Sequence, residues 1–225
     1  MATDKYLNIG KDGIVKEGIF VRFPELIPVC PENWGNSNLH RKLMIVGESN
    51  YFDDNADSVF KDPEAWYTGE DILHLIPDDY KVRVSNWKAE YPPFNNLCKS
   101  MNQVSEGFHY DTVYDGAMFY NYFLRPATVR NGNKSFKKDC TQMDREIAGI
   151  ALCGIIEIDK PEIVVFVSKY AYSEFQKYID SKMYPIGEIK IDFVYHPSRH
   201  FSWHHCNGNG KQKFERLLRD YWIVK

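Results

Sequence analysis

The sequence LMIVGESNY, residues 43–51, runs from an apolar stretch into a polar cluster, and two later segments repeat this pattern, AMFYNYFLRP at 117–126 and IDFVYHPSRH at 191–200. The apolar parts are short and rich in Val, Ile, Phe or Tyr, which is typical of strands buried on at least one face. The polar residues would then lie at the strand ends. In an open parallel sheet these ends share one crevice, where ligands bind. We therefore expect a single site that contains Glu48, Ser49, Asn50, Asn121 and His196.

Helical and strand-like segments alternate along the chain, with no internal repeat and no low-complexity tract. The patterns predict strands at 43–47, 115–123, 162–168 and 189–195, and helices at 94–104, 138–158, 171–178 and 211–221. The alternation predicts an α/β fold, a three-layer sandwich whose central, mainly parallel four-stranded sheet is flanked by helices. Residues 1–225 should form a single domain, on which residues 1–40 pack as an irregular N-terminal extension interrupted by prolines.

With 225 residues the chain can bury one large core without division into domains. Hydrophobic residues make up 44% and aromatic residues 15%, which excludes a disordered chain. No apolar run approaches the roughly 20 residues of a membrane span, and the first residues lack the apolar segment of a secretory signal. We therefore expect a cytoplasmic monomer that does not associate with membranes. Five scattered cysteines, an odd number, indicate reduced thiols instead of a disulfide framework.

The net charge of −3 does not by itself indicate a nucleic-acid-binding protein, but the charges are unevenly distributed. Residues 125–138 include five basic and no acidic residues, and residues 199–225 include six basic and two acidic ones. Because both segments follow a polar cluster, positive charge should border the crevice and hold phosphates there. The segment 53–90 has ten acids and four bases, and would repel DNA unless it folds away. Ordinary solvated charge is the alternative interpretation of all these segments.

The polar clusters resemble motifs of the uracil-DNA glycosylase superfamily, in the same order along the chain. GESNY at 47–51 resembles the first motif, which is G-Q-D-P-Y in one branch and G-E-x-P-G in another. NYFLRP at 121–126 is similar to the uracil-reading motif, and HPS at 196–198 is similar to the last motif. PPFNNL at 92–97 and PEIVVFV at 161–167 resemble two further segments. The resemblance implies a uracil-DNA glycosylase-like fold and a DNA glycosylase that removes uracil or a related damaged base.

The residue types also suit the chemistry of breaking an N-glycosidic bond. The sugar gains oxocarbenium character and the base leaves as an anion, so a catalyst needs negative charge at the sugar and a donor at the base. Glu48 can supply the charge, Asn50 is an alternative group that directs water, and His196 can supply the donor. Asn121 can accept from uracil N3–H and donate to O4, whereas cytosine presents the reverse pattern.

The resemblance implies further contacts around these groups. Beside Asn121, the base would be bound by Gly47, Ser49, Tyr51, Phe94 and Ser198, with Trp87 as another candidate aromatic face. DNA would be contacted by Arg125, Arg130 and Arg199, with Phe201 as a wedge into the base stack. No cofactor is expected, because Cys30 has no C-x-x-C partner and no four cysteines are spaced for an iron–sulfur cluster.

Each assignment has a structural alternative. Glu48 could be a carboxylate at a helix N-terminus, Asn121 could satisfy buried backbone groups, and His196 could be a hydrogen-bonded structural histidine. The aromatic residues could belong to the core, and a zinc ion could be held by His200, His204, His205 and Cys206. Ser49 and Asn50 stand where the first motif has aspartate and proline. A second hypothesis is therefore a catalytically silent module that binds a nucleobase, a nucleotide or a single strand.

Overall fold

The central sheet of the computed structural model contains parallel strands. They are β1 (Leu43–Phe52), β2 (Met118–Thr128), β3 (Ile163–Phe166) and β4 (Lys190–Phe193). The strand order is β2-β1-β3-β4, and every neighbouring pair in this sheet is parallel. The structure describes residues 4–52, 61–70, 91–128, 136–198, 200–205 and 210–224, except for the side chains of Tyr51, Phe52, Thr128 and His200. The predicted α/β fold with a parallel four-stranded sheet is confirmed.

Helices cover both faces of the sheet. In chain order they are α1 (Ile19–Arg22), α2 (Pro63–Thr68), α3 (Pro92–Val104), α4 (Val113–Gly116), α5 (Gln142–Asp159), α6 (Lys169–Lys182), α7 (His200–His204) and α8 (Gly210–Leu217). Single 3₁₀ turns lie at Asp4–Tyr6, Pro24–Leu26 and Phe136–Lys138, and a π-helical turn lies at Leu218–Trp222. Across the described segments, no helix combines the length and apolarity that a membrane crossing requires.

Two hydrophobic cores separate the three layers. Val46 and Val164 point into the core formed with α5 and α6, whereas Ile45 and Val165 point into the core formed with α3 and α8. Successive side chains of a strand point to opposite faces, so a strand covered on both sides must be apolar throughout. This burial explains the continuous apolar runs of β3 and of residues 43–46 in β1, whereas β4, with Lys190 and Asp192, is only half-buried.

β1 extends further than its apolar run predicts. The run indicates a strand that ends at Gly47, whereas β1 continues to Phe52 because β2 remains paired with it, with an irregularity in register after Ser49. β3 is shorter, and its pairing with β1 ends at Val46 and Phe166. The polar residues after Gly47 therefore lie within a two-stranded extension of the sheet instead of beyond a strand end.

The N-terminal extension packs on the core of α5 and α6, where Tyr6 and Phe23 are buried. Tyr6 Oη donates to Oδ2 of the buried Asp159 over 2.8 Å, and burial raises the pKa of the Tyr6 hydroxyl. Further along, Val29 forms an antiparallel bridge with Phe119. Because β2 is the outermost strand on this side, the extension covers part of an otherwise open sheet edge.

Candidate functional site

The carboxyl ends of the parallel strands lie along one edge of the sheet, and the topological switch point at this edge lies between β1 and β3. β1 leads to β2 on one side of the sheet and β3 leads to β4 on the other, so the connections diverge at this point. Open α/β sheets bind ligands at such a switch point. Glu48 lies just beyond Val46, the last β1 residue paired with β3. It therefore lies at the point where the end of β3 opens the sheet.

Glu48 is half-buried, and both oxygens of its carboxylate accept hydrogen bonds. The backbone N–H of Phe136 donates to Oε1 over 2.7 Å, and Ser168 Oγ donates to Oε2 over 2.5 Å. Ser168 is also the N-cap of α6, where its Oγ accepts from the N–H of Ala171 at 3.2 Å. The carboxylate is thus fixed between the 3₁₀ turn at Phe136–Lys138 and the start of α6.

Asn121 on β2 is the register partner of Gly47 on β1. Its side chain lies against Gly47, because a Cβ atom at position 47 would come within 2.1 Å of Asn121 Oδ1. Nδ2 of Asn121 donates to Oδ1 of Asn50 over 2.9 Å, and this bond fixes the orientation of the carboxamide. A carboxamide held in this way offers its oxygen as an acceptor and retains a second N–H as a donor.

His196 follows β4 and is oriented by the next residues of its own motif. Its Nδ1 lies 3.2 Å from the backbone N–H of Ser198, which must donate, and 2.6 Å from Ser198 Oγ. Because Nδ1 accepts a hydrogen bond, the neutral imidazole carries its proton on Nε2. Asn96 on α3 donates from Nδ2 to the Pro197 carbonyl over 2.9 Å and so ties this loop to the helical layer. The ring is therefore set up as an Nε2–H donor.

A small cavity adjoins Asn50 and Asn121. Its volume of about 20 Å³ is enough for roughly one water molecule. The remaining lining residues are Leu26, Ile27, Val29, Phe119, Tyr120, Phe123 and Leu124. Ser49 Oγ is buried and has no hydrogen-bond partner among the described residues. Leu26, Ile27 and Val29 belong to the N-terminal extension, which therefore forms one wall of the cavity beside Asn50 and Asn121.

Phe94 does not offer the open aromatic face that the sequence predicts. Its side chain is 4% exposed and packs edge-on against Phe119, with 5.0 Å between the ring centroids. Phe119 lies beside Gly47 together with the Asn121 carboxamide, since one of its ring atoms is 3.0 Å from the Cβ position of Gly47. Phe94 therefore supports the site from the core, because α3 buries it against the sheet.

Arg125 is buried, in contrast to its predicted contact with DNA phosphates. Its side chain is 1% exposed, and the guanidinium meets the Asp144 carboxylate through Nε–Oδ1 at 2.9 Å and Nη2–Oδ2 at 2.7 Å. Tyr67 Oη donates to the same carboxylate over 3.0 Å, and burial raises the pKa of Tyr67. The guanidinium also lies 4.9 Å from the ring centroid of Phe136. The prediction is corrected accordingly, because this charge is neutralised inside the protein and does not face the crevice.

The other predicted DNA contacts are only partly described. Phe201 on α7 is 72% exposed, so its place at the surface is compatible with the predicted wedge. Arg130, Arg199 and Trp87 lie outside the described residues, as does the side chain of Tyr51. Cys206 of the alternative zinc set also lies outside them, and the described residues contain no cluster of His, Cys, Asp or Glu suited to a metal ion.

The structure adds three residues to the site that the sequence did not predict. Ser168 follows a strand and precedes a helix, which is the usual position of an N-cap serine. This position is the one signal in the sequence that indicates a structural role for Ser168. Phe119 precedes Asn121 by two positions and so shares its face of β2. Phe136 contributes a backbone N–H, which no side-chain pattern can reveal.

Comparison of the chain with protein-family models and with characterised proteins gives no match.

Proposed function

We propose that this protein is a DNA glycosylase that hydrolyses the N-glycosidic bond of uracil or a related damaged base. The observation that carries the proposal is the fixed carboxamide of Asn121, which lies against Gly47 and is bonded to Asn50. A carboxamide held in one orientation distinguishes bases by the donors and acceptors on their edges. Glu48 on β1 and His196 after β4 supply a carboxylate and an imidazole donor, the other groups that this reaction needs.

In the proposed reaction, a nucleotide turns out of the DNA stack and its base enters the crevice. Asn121 Oδ1 accepts from N3–H of uracil, and the second N–H of its amide donates to O4. Cytosine would present an acceptor to the oxygen and a donor to the amide. Each polar group left unpaired costs about 1–3 kcal/mol, so two such groups discriminate against cytosine by a factor of roughly tens to ten thousand.

Glu48 and His196 act as the glycosidic bond breaks. Positive charge develops on the sugar, where the Glu48 carboxylate stabilises it or, together with Asn50, directs the attacking water. Negative charge develops on the base, where Nε2–H of His196 donates to the oxygen. Water adds to the sugar, and the products are the free base and an abasic site. In this proposal the protein acts on DNA as a cytoplasmic monomer, without a cofactor.

A second candidate function is a silent module that binds a nucleobase, a nucleotide or a single strand. The observation that favours it is the engagement of both Glu48 oxygens with Phe136 and Ser168, which gives the carboxylate a structural role. Ser49 also favours the silent module, because a hydroxyl stands where one branch of the superfamily has a carboxylate. In this alternative the asparagine pair reads a base that is never cleaved.

The proposal is tested by incubating the purified protein with oligonucleotides that contain uracil or other damaged bases, as single strands and as duplexes. Abasic sites are detected by strand cleavage after alkaline treatment, and binding of the same oligonucleotides is measured in parallel. Asn121→Asp serves as the matched variant, because an ionised carboxylate offers acceptors only.

We expect wild-type protein to cleave a uracil-containing strand and to leave the matched cytosine strand intact. Asn121→Asp should lose uracil excision. If the wild type binds single-stranded DNA or free nucleobase but forms no abasic sites on any substrate, the glycosylase proposal fails and the silent module takes its place.

A further inference from the structure

Ser168 connects the Glu48 carboxylate to the start of α6. The serine is largely buried, with 7% of its surface exposed, and it stands between β3 and α6. Its hydroxyl forms hydrogen bonds with the N–H of Ala171 at 3.2 Å and with Oε2 of Glu48 at 2.5 Å. One small side chain therefore caps a helix and holds the proposed catalytic carboxylate.

The direction of both hydrogen bonds follows from elementary chemistry. A backbone N–H can only donate, so the Ala171 contact uses a lone pair of the Ser168 oxygen. The single hydroxyl proton is then left for Glu48 Oε2. On the other side of the carboxylate, Phe136 N–H also donates, to Oε1. Glu48 therefore accepts from two donors that come from separate segments, and its plane is set by both.

We propose that Ser168 is a positioning residue, whose hydroxyl aims the Glu48 carboxylate at the sugar of the bound nucleotide. This inference rests on the proposed function, because it gives Glu48 a role at the reacting bond. Ser168 itself does not touch the substrate. Its contribution is orientation, and residues that orient a reacting group typically contribute about 10–100-fold to activity.

Helix capping and carboxylate positioning can be separated at this position. Aspartate is as good an N-cap as serine, because its side chain also accepts from the N–H groups of the first turn. It has no proton for Glu48, however, and its negative charge repels the carboxylate. Threonine retains both functions, since its hydroxyl accepts and donates as that of serine does. Ser168→Asp therefore retains the cap alone, Ser168→Thr retains both functions, and Ser168→Ala removes both.

The experiment compares wild type with these three variants. Single-turnover excision of uracil gives the rate of the chemical step, and binding of the same oligonucleotide gives the affinity. The midpoint of thermal unfolding, Tm, reports the stability that the N-cap of α6 contributes. Hydrogen exchange of the Phe136 amide reports whether Glu48 is still held in place, and this measurement does not depend on catalysis. Glu48→Ala provides the reference for a Phe136 amide that has lost its acceptor.

We expect Ser168→Ala to lower the excision rate about 10–100-fold at unchanged DNA affinity, and to lower Tm by about 2–4 °C through loss of the cap. Ser168→Thr should restore rate and Tm, whereas Ser168→Asp should leave the rate low and restore Tm only in part, because the retained cap is offset by repulsion between the two carboxylates. A wild-type rate in Ser168→Ala, or recovery of the rate in Ser168→Asp, would overturn the inference. If the wild type excises nothing, the proposed function fails. Exchange at Phe136 then decides separately whether Ser168 holds Glu48, since protection unchanged in Ser168→Ala contradicts the inference.

Discussion

The Asn121 carboxamide occupies the space that any side chain at position 47 would need, so Gly47 is required by a neighbouring strand and not by its own backbone angles. Residues 47–51 and 121–126 are therefore coupled by contact. In the proposed function the glycine contributes to recognition of the base, because it lets the amide of Asn121 lie close to β1.

Gly47→Ala should displace the Asn121 side chain and reduce uracil excision by roughly 100-fold, since an ångström of misplacement has effects of this order. Single-turnover rates measure the effect. Gly107→Ala is the matched control, because a Cβ there meets Leu39 Cδ2 at an ordinary 3.7 Å. Equal rates in both variants would show that Asn121 does not need the space at position 47.

Glu48→Gln retains the shape of the side chain but removes its charge, and we expect excision to fall by about two to four orders of magnitude. The half-exposed Glu162, which is bonded to the backbone N–H of Lys42 just before β1, provides the control as Glu162→Gln. Should Glu48→Gln match wild type, the water-directing role passes to Asn50.

At the scale of secondary structure elements, apolar runs were sufficient to place β3 and the first part of β1, because burial on both faces leaves no polar residues in 163–166 and 43–46. Their ends were harder to place. β1 continues through polar residues because β2 pairs with it, and no property of residues 48–52 alone reveals that partner. Likewise, 113–116 form α4 and β2 starts only at Met118, because Thr112 and Asp115 close a capping box.

The polar clusters predicted which residues belong to the candidate site but not how they are arranged. Glu48 and Asn121 lie within β1 and β2, not at the ends of these strands. Their side chains point to opposite faces of the sheet, because Glu48 follows Val46 by two residues and Asn121 follows Phe119 by two. The prediction for Arg125 was wrong because a count of charges along the sequence does not show whether a side chain points into the protein or towards solvent. Its partner Asp144 lies on a different element, α5, and only the fold brings the two together.

The Arg125–Asp144 pair holds β2 against the N-terminus of α5, so its loss should destabilise the protein. Arg125→Met leaves the carboxylate buried without its cation, and we expect a loss of about 3–5 kcal/mol in the free energy of unfolding, measured with urea. Arg219→Met is the control, because this arginine is 54% exposed. Adding Asp144→Asn should recover part of the loss. Stability unchanged in Arg125→Met would show that the pair contributes nothing net.

At the scale of the whole molecule, the N-terminal extension links distant parts of the fold. Near its beginning, Lys5 and Tyr6 bond to Asp159 at the end of α5. Further on, Leu26 and Val29 line the cavity beside the asparagine pair. The extension is therefore part of the same structural unit as the site, although its sequence reads as irregular.

Tyr6→Phe tests this link, because it removes one hydrogen bond to a buried carboxylate. Hydrogen bonds to charged groups contribute about 1.5–3 kcal/mol, and we expect a decrease of this size in the free energy of unfolding by denaturant. Tyr195→Phe, at a side chain that is 43% exposed, should change it by less than about 0.5 kcal/mol. If the two variants are indistinguishable, the extension is not fastened through Tyr6.

The unequal lengths of the strands also bear on how the molecule fluctuates. Val46 is paired with strands on both sides, whereas β2 is the only partner of the part of β1 beyond it among the residues that the structure describes. Local opening follows the lowest local stability, so the outer ribbon can separate from its surroundings while the four-stranded part stays closed. Native-state exchange should then be slow for the amides of 44–46 and faster for those of 48–52. Local opening of β1 and β2 beyond Val46 would let a ligand enter while the four-stranded part of the sheet stays closed.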